Sequence, residues 1–307
     1  MTNMASASVS TSVVAGRRFA SPLSRAMAQR EGLDLSGLTG SGPRGRIVKA
    51  DVVAALGSSG GGSAALSADS PVGPAFDAIP NGIGRKLMAR RLTESKQQAP
   101  HFYLRIDCNV DAVLQLRATA KAGTGPKLSI NDFVIYAAAQ ALRVVPGVNA
   151  SFTPAAIRRY RSVNIAVAVA LDNGLLTPVI ENADTLSVAE ISLAVRDLSE
   201  RARAGTLQPG ASSGGTFSVS TLGAHGVREF AAVINPPQGA ILAVGAAEPR
   251  AVVRNSQLAV ATMMTVTLSV DHRVIDGAVA AQWLAAFKQH LENPQVNDVW
   301  KSSLHAP

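Results

Sequence analysis

Residues 57–74 read GSSGGGSAALSADSPVGP. Glycine and serine dominate this stretch, and with almost no apolar mass it cannot offset its own conformational entropy by burial, so it behaves as a flexible tether. A single hydrophobic core cannot run through it. The 307-residue chain is therefore expected to fold separately on either side, as a small module of roughly 40 residues and a domain of roughly 200. The expected limits are a disordered linker at 1–18, a small module at 19–56, the tether at 57–76, a main domain at 77–297 and a tail at 298–307.

Charge and composition narrow the function classes. The formal net charge is +8 and the pI near 10.1, but Lys and Arg are spread rather than blocked. Three Tyr and two Trp offer little for bases to stack on, so nucleic-acid binding is not expected. An acidic protein partner or a phosphorylated cofactor accounts for the basicity equally well. No apolar run approaches the length of a membrane span. Cys108 is the only cysteine, which excludes an internal disulfide and a cysteine-built zinc site; a half-buried strand thiol is expected, and no metal.

The N-terminal region is rich in small residues, and Arg17, Arg18, Arg25 and Arg30 precede the first acid, Glu31. That pattern superficially fits a mitochondrial transit peptide, although a module that uses some of those arginines follows at once. Ser21-Pro22 gives an N-cap and a proline at the first helical position, with Leu23, Met27 and Ala28 as an apolar stripe and Gly32 as a stop. TGSGPRGRI (39–47) is a glycine-punctuated loop, and a second helix carries Ile47, Val48, Val52 and Leu56. The loop lacks the Gly-Lys-Ser/Thr ending of a phosphate-binding P-loop. Asp34 reads as a structural acid bonding the loop backbone.

From Asp77 the pattern is α/β. Residues 79–98, 111–122, 129–144 and 188–204 read as helices, the first of them amphipathic and carrying Arg85, Lys86, Arg90 and Arg91. Residues 101–109 alternate as a strand, with Phe102, Leu104 and Ile106 on one face. Residues 163–171 and 176–181 read as strands joined by a turn at Asp172-Asn173-Gly174. Runs such as Ile241–Val244 suggest a largely buried central sheet. Helices interleaved with hairpins predict an α/β sandwich with a mixed sheet rather than a doubly wound parallel one. In TVTLSVDHRVIDGA (265–278) Thr265, Thr267 and Ser269 alternate with Val266, Leu268 and Val270, which predicts a half-buried strand ending at Asp271. A helix follows from Ala278 to Leu291. His272 thus stands where a strand gives way to a turn, a place from which rigid scaffolds present catalytic groups.

DHRVIDG resembles the His-x-x-x-Asp-Gly signature of the CoA-dependent acyltransferase superfamily, which includes chloramphenicol acetyltransferase and the dihydrolipoyl acyltransferases of 2-oxo acid dehydrogenase complexes. GGTFSVSTLGAHGVREFAAVINPPQGAILAVG (214–245) and LDNGLLTPVI (171–180) resemble further blocks of the second group, in its order. The resemblance implies a chloramphenicol acetyltransferase-like two-layer sandwich with a mixed sheet, preceded by a small all-α peripheral subunit-binding domain. It implies acetyl transfer between CoA and a dihydrolipoyl thiol, with His272 as general base and Ser220 as oxyanion donor; Ser218 and Thr221 are rivals for the second role. Asp276 matches the position four after the histidine, where it either orients the site or fixes the turn. A site shared between subunits of a homotrimer is also implied. VREFAAVINPPQGAILAVG is closer to the acetyl-transferring branch, so a pyruvate dehydrogenase complex is favoured and an acetoin-type complex is its neighbour.

In the small module, Arg44, Arg46 and Lys49 match the basic side chains that hold dihydrolipoyl dehydrogenase or the decarboxylase. No lipoyl domain is recognisable in the chain, so the lipoyl group is expected from another polypeptide, unless the chain is truncated. The alternative reading is a mainly structural subunit that recruits dihydrolipoyl dehydrogenase to the core. The CoA-binding residues stay open among Arg85, Lys86, Arg90 and Arg91. A bacterial cytoplasm is the expected location, with the mitochondrial matrix as the alternative. His225 falls within the second block, and His101 and His290 read as structural. The family's apolar C-terminal plug is interrupted by polar residues in QVNDVWKSSLHAP (295–307), leaving Val299 and Trp300 to anchor in another way.

Overall fold

The computed structural model describes residues 19–31, 33–58, 76–121, 127–171, 174–208 and 210–300. The expected linker at 1–18, residues 59–75 of the expected tether, the turn residues Asp172 and Asn173, the stop at Gly32 and the tail beyond residue 300 lie outside them, whereas Gly57 and Ser58, expected in the tether, are helical. The chain separates into two compact units, with the division between Ala78 and Ile79.

The first unit holds helices α1 (Pro22–Glu31) and α2 (Lys49–Ser58). Ser21 caps α1 by accepting the Ser24 N–H at 3.1 Å, as Ser-Pro predicts. Its core is small: Ala28, Ile47 and Val52 are buried, whereas Leu23, expected in the stripe, is exposed. Polar bonds supplement that core, as they must in a domain of this size. Asp34 accepts the Ser36 N–H at 2.9 Å, confirming a structural acid. Asp51, not anticipated, ties the two ends of the glycine loop by accepting from Ser41 N at 3.0 Å and Val48 N at 2.8 Å. Ile47 precedes α2 and bridges to Ala20.

The second unit runs α3 (Ile83–Gln98), β1 (His101–Asn109), α4 (Asp111–Lys121), α5 (Ile130–Val144), β2 (Ala150–Phe152), β3 (Ile157–Arg159), β4 (Ile165–Val167), β5 (Val169–Leu171), β6 (Gly174–Leu176), β7 (Val179–Ile180), α6 (Val188–Arg203), β8 (Phe217–Thr221), β9 (Ala240–Arg254), β10 (Gln257–Asp271), α7 (Gly277–Glu292) and α8 (Val296–Val299). The main sheet has the order β1-β10-β9-β8-β4-β7. The β8 strand pairs in parallel with both β9 and β4, and the remaining pairs are antiparallel, so the sheet is mixed as expected. The strand expected at 163–171 is broken at Ala168 into β4 and β5, and its partner is interrupted at Pro178, which has no N–H for a ladder. The long β9–β10 hairpin turns at Asn255-Ser256, both with positive φ, as a two-residue loop of this hand requires.

One sheet face, bearing Val219, Leu242, Val244, Val266, Leu268 and Val270, joins helix residues in a single core. Within that core Trp283 lies 5.1 Å from Phe217 and 5.5 Å from Phe287, ring to ring. Capping boxes start two helices. Ser129 and Asp132 exchange bonds at α5, and Ser187 and Glu190 do so at α6.

The opposite face corrects an expectation. Thr265, Thr267 and Ser269 are as buried as their apolar neighbours, so β10 is covered on both sides from Met264 to Asp271, while its start is exposed. The cover over Ser269 is residues 227–239, a stretch without helix or strand, whose Ala232 carbonyl accepts the Ser269 hydroxyl at 2.8 Å. Thr265 is enclosed by Asp107 and Arg250, at 2.6 and 2.8 Å. Glycine permits the close passes of this roof: a Cβ on Gly245 would stand 1.9 Å from the Arg228 carbonyl oxygen. Cys108 is fully rather than half buried, which pushes its thiol up to about 12.

Candidate functional site

His272 leaves the end of β10 with its backbone fixed and its side chain exposed. Its N–H donates to the Pro100 carbonyl at 3.1 Å, and its ring lies 5.2 Å from Phe102 at 59°. The preceding Asp271 builds the turn. Its carbonyl accepts from Val274 and Ile275, both at 3.0 Å. Its carboxylate receives Arg273 in a fork, Nε to Oδ1 at 3.0 Å and Nη2 to Oδ2 at 2.8 Å, which holds the guanidinium above its ordinary value. Arg273 also stacks on Phe152, 4.2 Å from the ring centroid. Sequence reasoning missed Asp271 and Arg273; their placement beside the histidine was the available signal.

Asp276 stands at the N-cap of α7 without bonding the helix through its side chain. Among the described residues its exposed carboxylate has no hydrogen-bond or ionic partner. A negative charge there still suits the helix dipole.

The three hydroxyls of β8 are in different situations. Ser218 is buried and donates to Gln238 Oε1. Thr221 donates to Asn131 Oδ1 at 2.8 Å. Ser220 is partly exposed, and its Oγ has no hydrogen-bond partner among the described residues. A cavity of about 260 Å³ lies on the helix side of the sheet, lined by Asn131, Val134, Thr221, Gly223, Val244 and Met264 among others; Ser220, alternating with Thr221 along β8, is not part of its lining.

His272 and Ser220 are not neighbours within one chain. Ser220 pairs with Ala243, and Ala243 with Thr267. His272 is two strands across and five residues further on, which places the two backbones about 20 Å apart at ordinary strand spacing and rise.

The remaining sequence candidates are dispersed. Arg85, Lys86, Arg90 and Arg91 are exposed on α3 and unpaired among the described residues. The apolar face expected of that helix is uncovered: Ile83 and Leu87 are exposed. His225 lies in an exposed turn and His290 in the last turn of α7. In the first unit, Arg44, Arg46 and Lys49 are exposed and unpaired among the described residues. Arg44 has a φ of 62°, unusual for a side chain with a Cβ. No group of three or more His, Cys, Asp and Glu residues that could hold a metal occurs among the described residues, and none of their helices is long and apolar enough to cross a membrane.

A mixed sheet with helices on one face and a histidine on its strand-to-helix turn is the fold of an acyltransferase. It matches a probable dihydrolipoamide acetyltransferase from Listeria monocytogenes at TM-score 0.69 and 32% identity, over 76% of this chain and 98% of that one. The chain belongs to the 2-oxoacid dehydrogenase acyltransferase family: the catalytic-domain model matches residues 74–297, and a model described as the e3 binding domain matches residues 18–53. A second structure, at TM-score 0.69 and 29% identity over 75% of this chain and 98% of that one, concerns the catalytic mechanism of Azotobacter vinelandii dihydrolipoamide acetyltransferase. The mechanistic residues in that enzyme are a serine, a histidine 52 residues later and an asparagine four beyond. Ser220, His272 and Asp276 repeat both spacings, with an acid replacing the amide.

Curated relatives include the dihydrolipoyllysine-residue acetyltransferase components of pyruvate dehydrogenase complexes from Rickettsia bellii, 46% identical over 90% of this chain and 66% of that protein, and Rhizobium meliloti, 43% identical over 91% and 68%. Component 3 of the mitochondrial complex of Arabidopsis thaliana is 48% identical over 91% of this chain and 54% of that protein. The chain spans about two thirds of the bacterial relatives' length.

Proposed function

We propose that the protein is a dihydrolipoyllysine-residue acetyltransferase of a pyruvate dehydrogenase complex, moving an acetyl group between CoA and a dihydrolipoyl arm. What carries the reading is the pairing of His272 and Ser220 at the spacing of the Azotobacter enzyme, with the Ser220 hydroxyl unspent while its neighbours are bonded.

The chemistry follows from those two groups. A thiol of pKa about 8.5 is mostly protonated at neutral pH, so His272 takes its proton as sulfur attacks the thioester carbonyl. Negative charge then builds on the carbonyl oxygen, where the Ser220 hydroxyl donates a hydrogen bond. Collapse breaks the original carbon–sulfur bond, and the departing thiolate recovers the proton from the imidazolium. Asp276, its carboxylate unbonded among the described residues at the head of α7, places a negative charge where the helix dipole favours it, four residues after His272.

Because the two groups lie about 20 Å apart in one chain, the working site is completed by another copy, in a trimer. The basic loop of the first unit, through Arg44, Arg46 and Lys49, holds dihydrolipoyl dehydrogenase or the decarboxylase. The phosphates of CoA find free cations on α3. A bacterial cytoplasm fits the two bacterial relatives named, and a mitochondrial matrix the plant one. Transfer of acetyl from acetyl-CoA to free dihydrolipoamide is the direct test; a chain that assembles but shows no transfer overturns the reading and leaves a recruiting role.

A further inference from the structure

The roof over the sheet, residues 227–239, is tied at its two ends by backbone bonds, from the Ala246 N–H to the Val227 carbonyl and from the Asp271 N–H to the Gly239 carbonyl, both at 2.8 Å, and between them by side chains. Ser269 reaches the Ala232 carbonyl, and Ser95 Oγ reaches the Ile234 carbonyl at 2.6 Å. One contact runs in the other direction. The Ile234 N–H donates to His101 Nε2 at 3.1 Å, while His101 Nδ1 lies 2.8 Å from the Ala99 carbonyl. An amide nitrogen only donates and a carbonyl only accepts, so this ring carries its proton on Nδ1 and is neutral. Ile234 is fully buried, which leaves its N–H no water to turn to.

The clamp bears on His272 through two neighbouring bonds. The Pro100 carbonyl, one residue before His101, accepts the His272 N–H at 3.1 Å. The Gly239 carbonyl, at the far end of the roof, accepts the Asp271 N–H at 2.8 Å. The turn that presents His272 is thus suspended between the start of β1 and the end of the roof, and at Ile234, in the middle of the roof, His101 ties it to β1 while Ser95 ties it to α3. We propose that His101 is a positioning residue: as the neutral Nδ1–H tautomer it locks the roof to β1 and so fixes the backbone on which His272 works. The proposal rests on His272 acting in the reaction.

The test compares two variants of the full chain. His101→Ala leaves the buried amide without an acceptor, and kcat for acetyl transfer should fall by about 10- to 100-fold, the scale of a misplaced catalytic group, with KM changed less than about threefold. His101→Gln puts a carbonyl oxygen near the position of Nε2 and should recover kcat to within about threefold of wild type. Amide exchange read at Ile234 should be slow in the wild type and in the Gln variant, and faster in the Ala variant. Wild-type kcat in the Ala variant, or a Gln variant no better than it, overturns the proposal. So does an Ile234 amide that exchanges in the wild type as fast as exposed Glu229, a measurement that does not depend on any variant folding. Normal turnover in His272→Ala sinks the base assignment instead, and leaves the Ile234 exchange pattern untouched.

Discussion

Ser218, Ser220 and Thr221 sit within four positions of one strand, and their hydrogen bonds separate them. A hydroxyl already donating to Gln238 or Asn131 would have to give up that bond to serve an oxyanion, whereas Ser220 has nothing to give up. Ser220→Ala should therefore lower kcat by about 10²-fold with KM little changed; a loss confined to KM would point to substrate binding instead. His272→Ala should cost at least about 10²-fold in transfer while leaving CoA affinity largely intact, and near-normal turnover would remove the base assignment. Cys108 offers a contrast among nucleophiles. Burial pushes its thiol up to about 12, so at pH 8 it is protonated as well as inaccessible, and a disulfide reagent should label it only after denaturation. Labelling of the native protein at the rate of a free thiol would contradict that burial.

At the level of elements, the terminal helix α8 is held in two ways. Val299 is fully buried in the main core, and the Tyr136 hydroxyl donates to Asp298 Oδ1 at 2.9 Å. Val299→Ala should cost about 1–3 kcal/mol, the range for deleting buried methyl groups, and lower Tm by several degrees; an unchanged Tm would mean that the segment does not pack. Half of that anchor was legible, since polar residues interrupt the apolar ones around Val299 and leave few to bury, but Trp300, expected to anchor beside it, is exposed. Helices with strong local signals were also legible, because Ser129 with Asp132 and Ser187 with Glu190 write their own starts. The second cover of β10 was not. Alternating Thr265, Thr267 and Ser269 look like a solvent face, and residues 227–239, which roof Ser269, have no period for a sequence reading to detect. His101 failed to stand out for the same reason, since its partner Ile234 lies 133 positions away. Nor did periodicity reveal that Ile83 and Leu87 would stay uncovered within one chain, because an apolar period marks a face without saying what covers it.

The whole molecule inherits its largest constraint from the sheet. Strand register puts His272 and Ser220 about 20 Å apart in one chain, whereas a base and an oxyanion donor acting on one thioester must both lie within hydrogen-bond reach of it. On the proposed reading, a ring of three copies supplies each site with its histidine from one subunit and its serine from the next. That arrangement makes a prediction that single variants cannot. Subunits carrying His272→Ala and subunits carrying Ser220→Ala are each nearly inactive alone. Co-refolded in equal amounts, they assort at random, and a site is intact only when an unmodified histidine faces an unmodified serine. The mixture should then recover about one quarter of wild-type activity. If each chain instead closed its own site, every subunit in the mixture would carry one lesion, and activity would stay at the level of the single variants. Titrating the ratio sharpens the comparison, because the recovered activity should peak at equal proportions and fall symmetrically on either side. A flat response would place both groups of each working site in one chain and require the sheet register to be wrong.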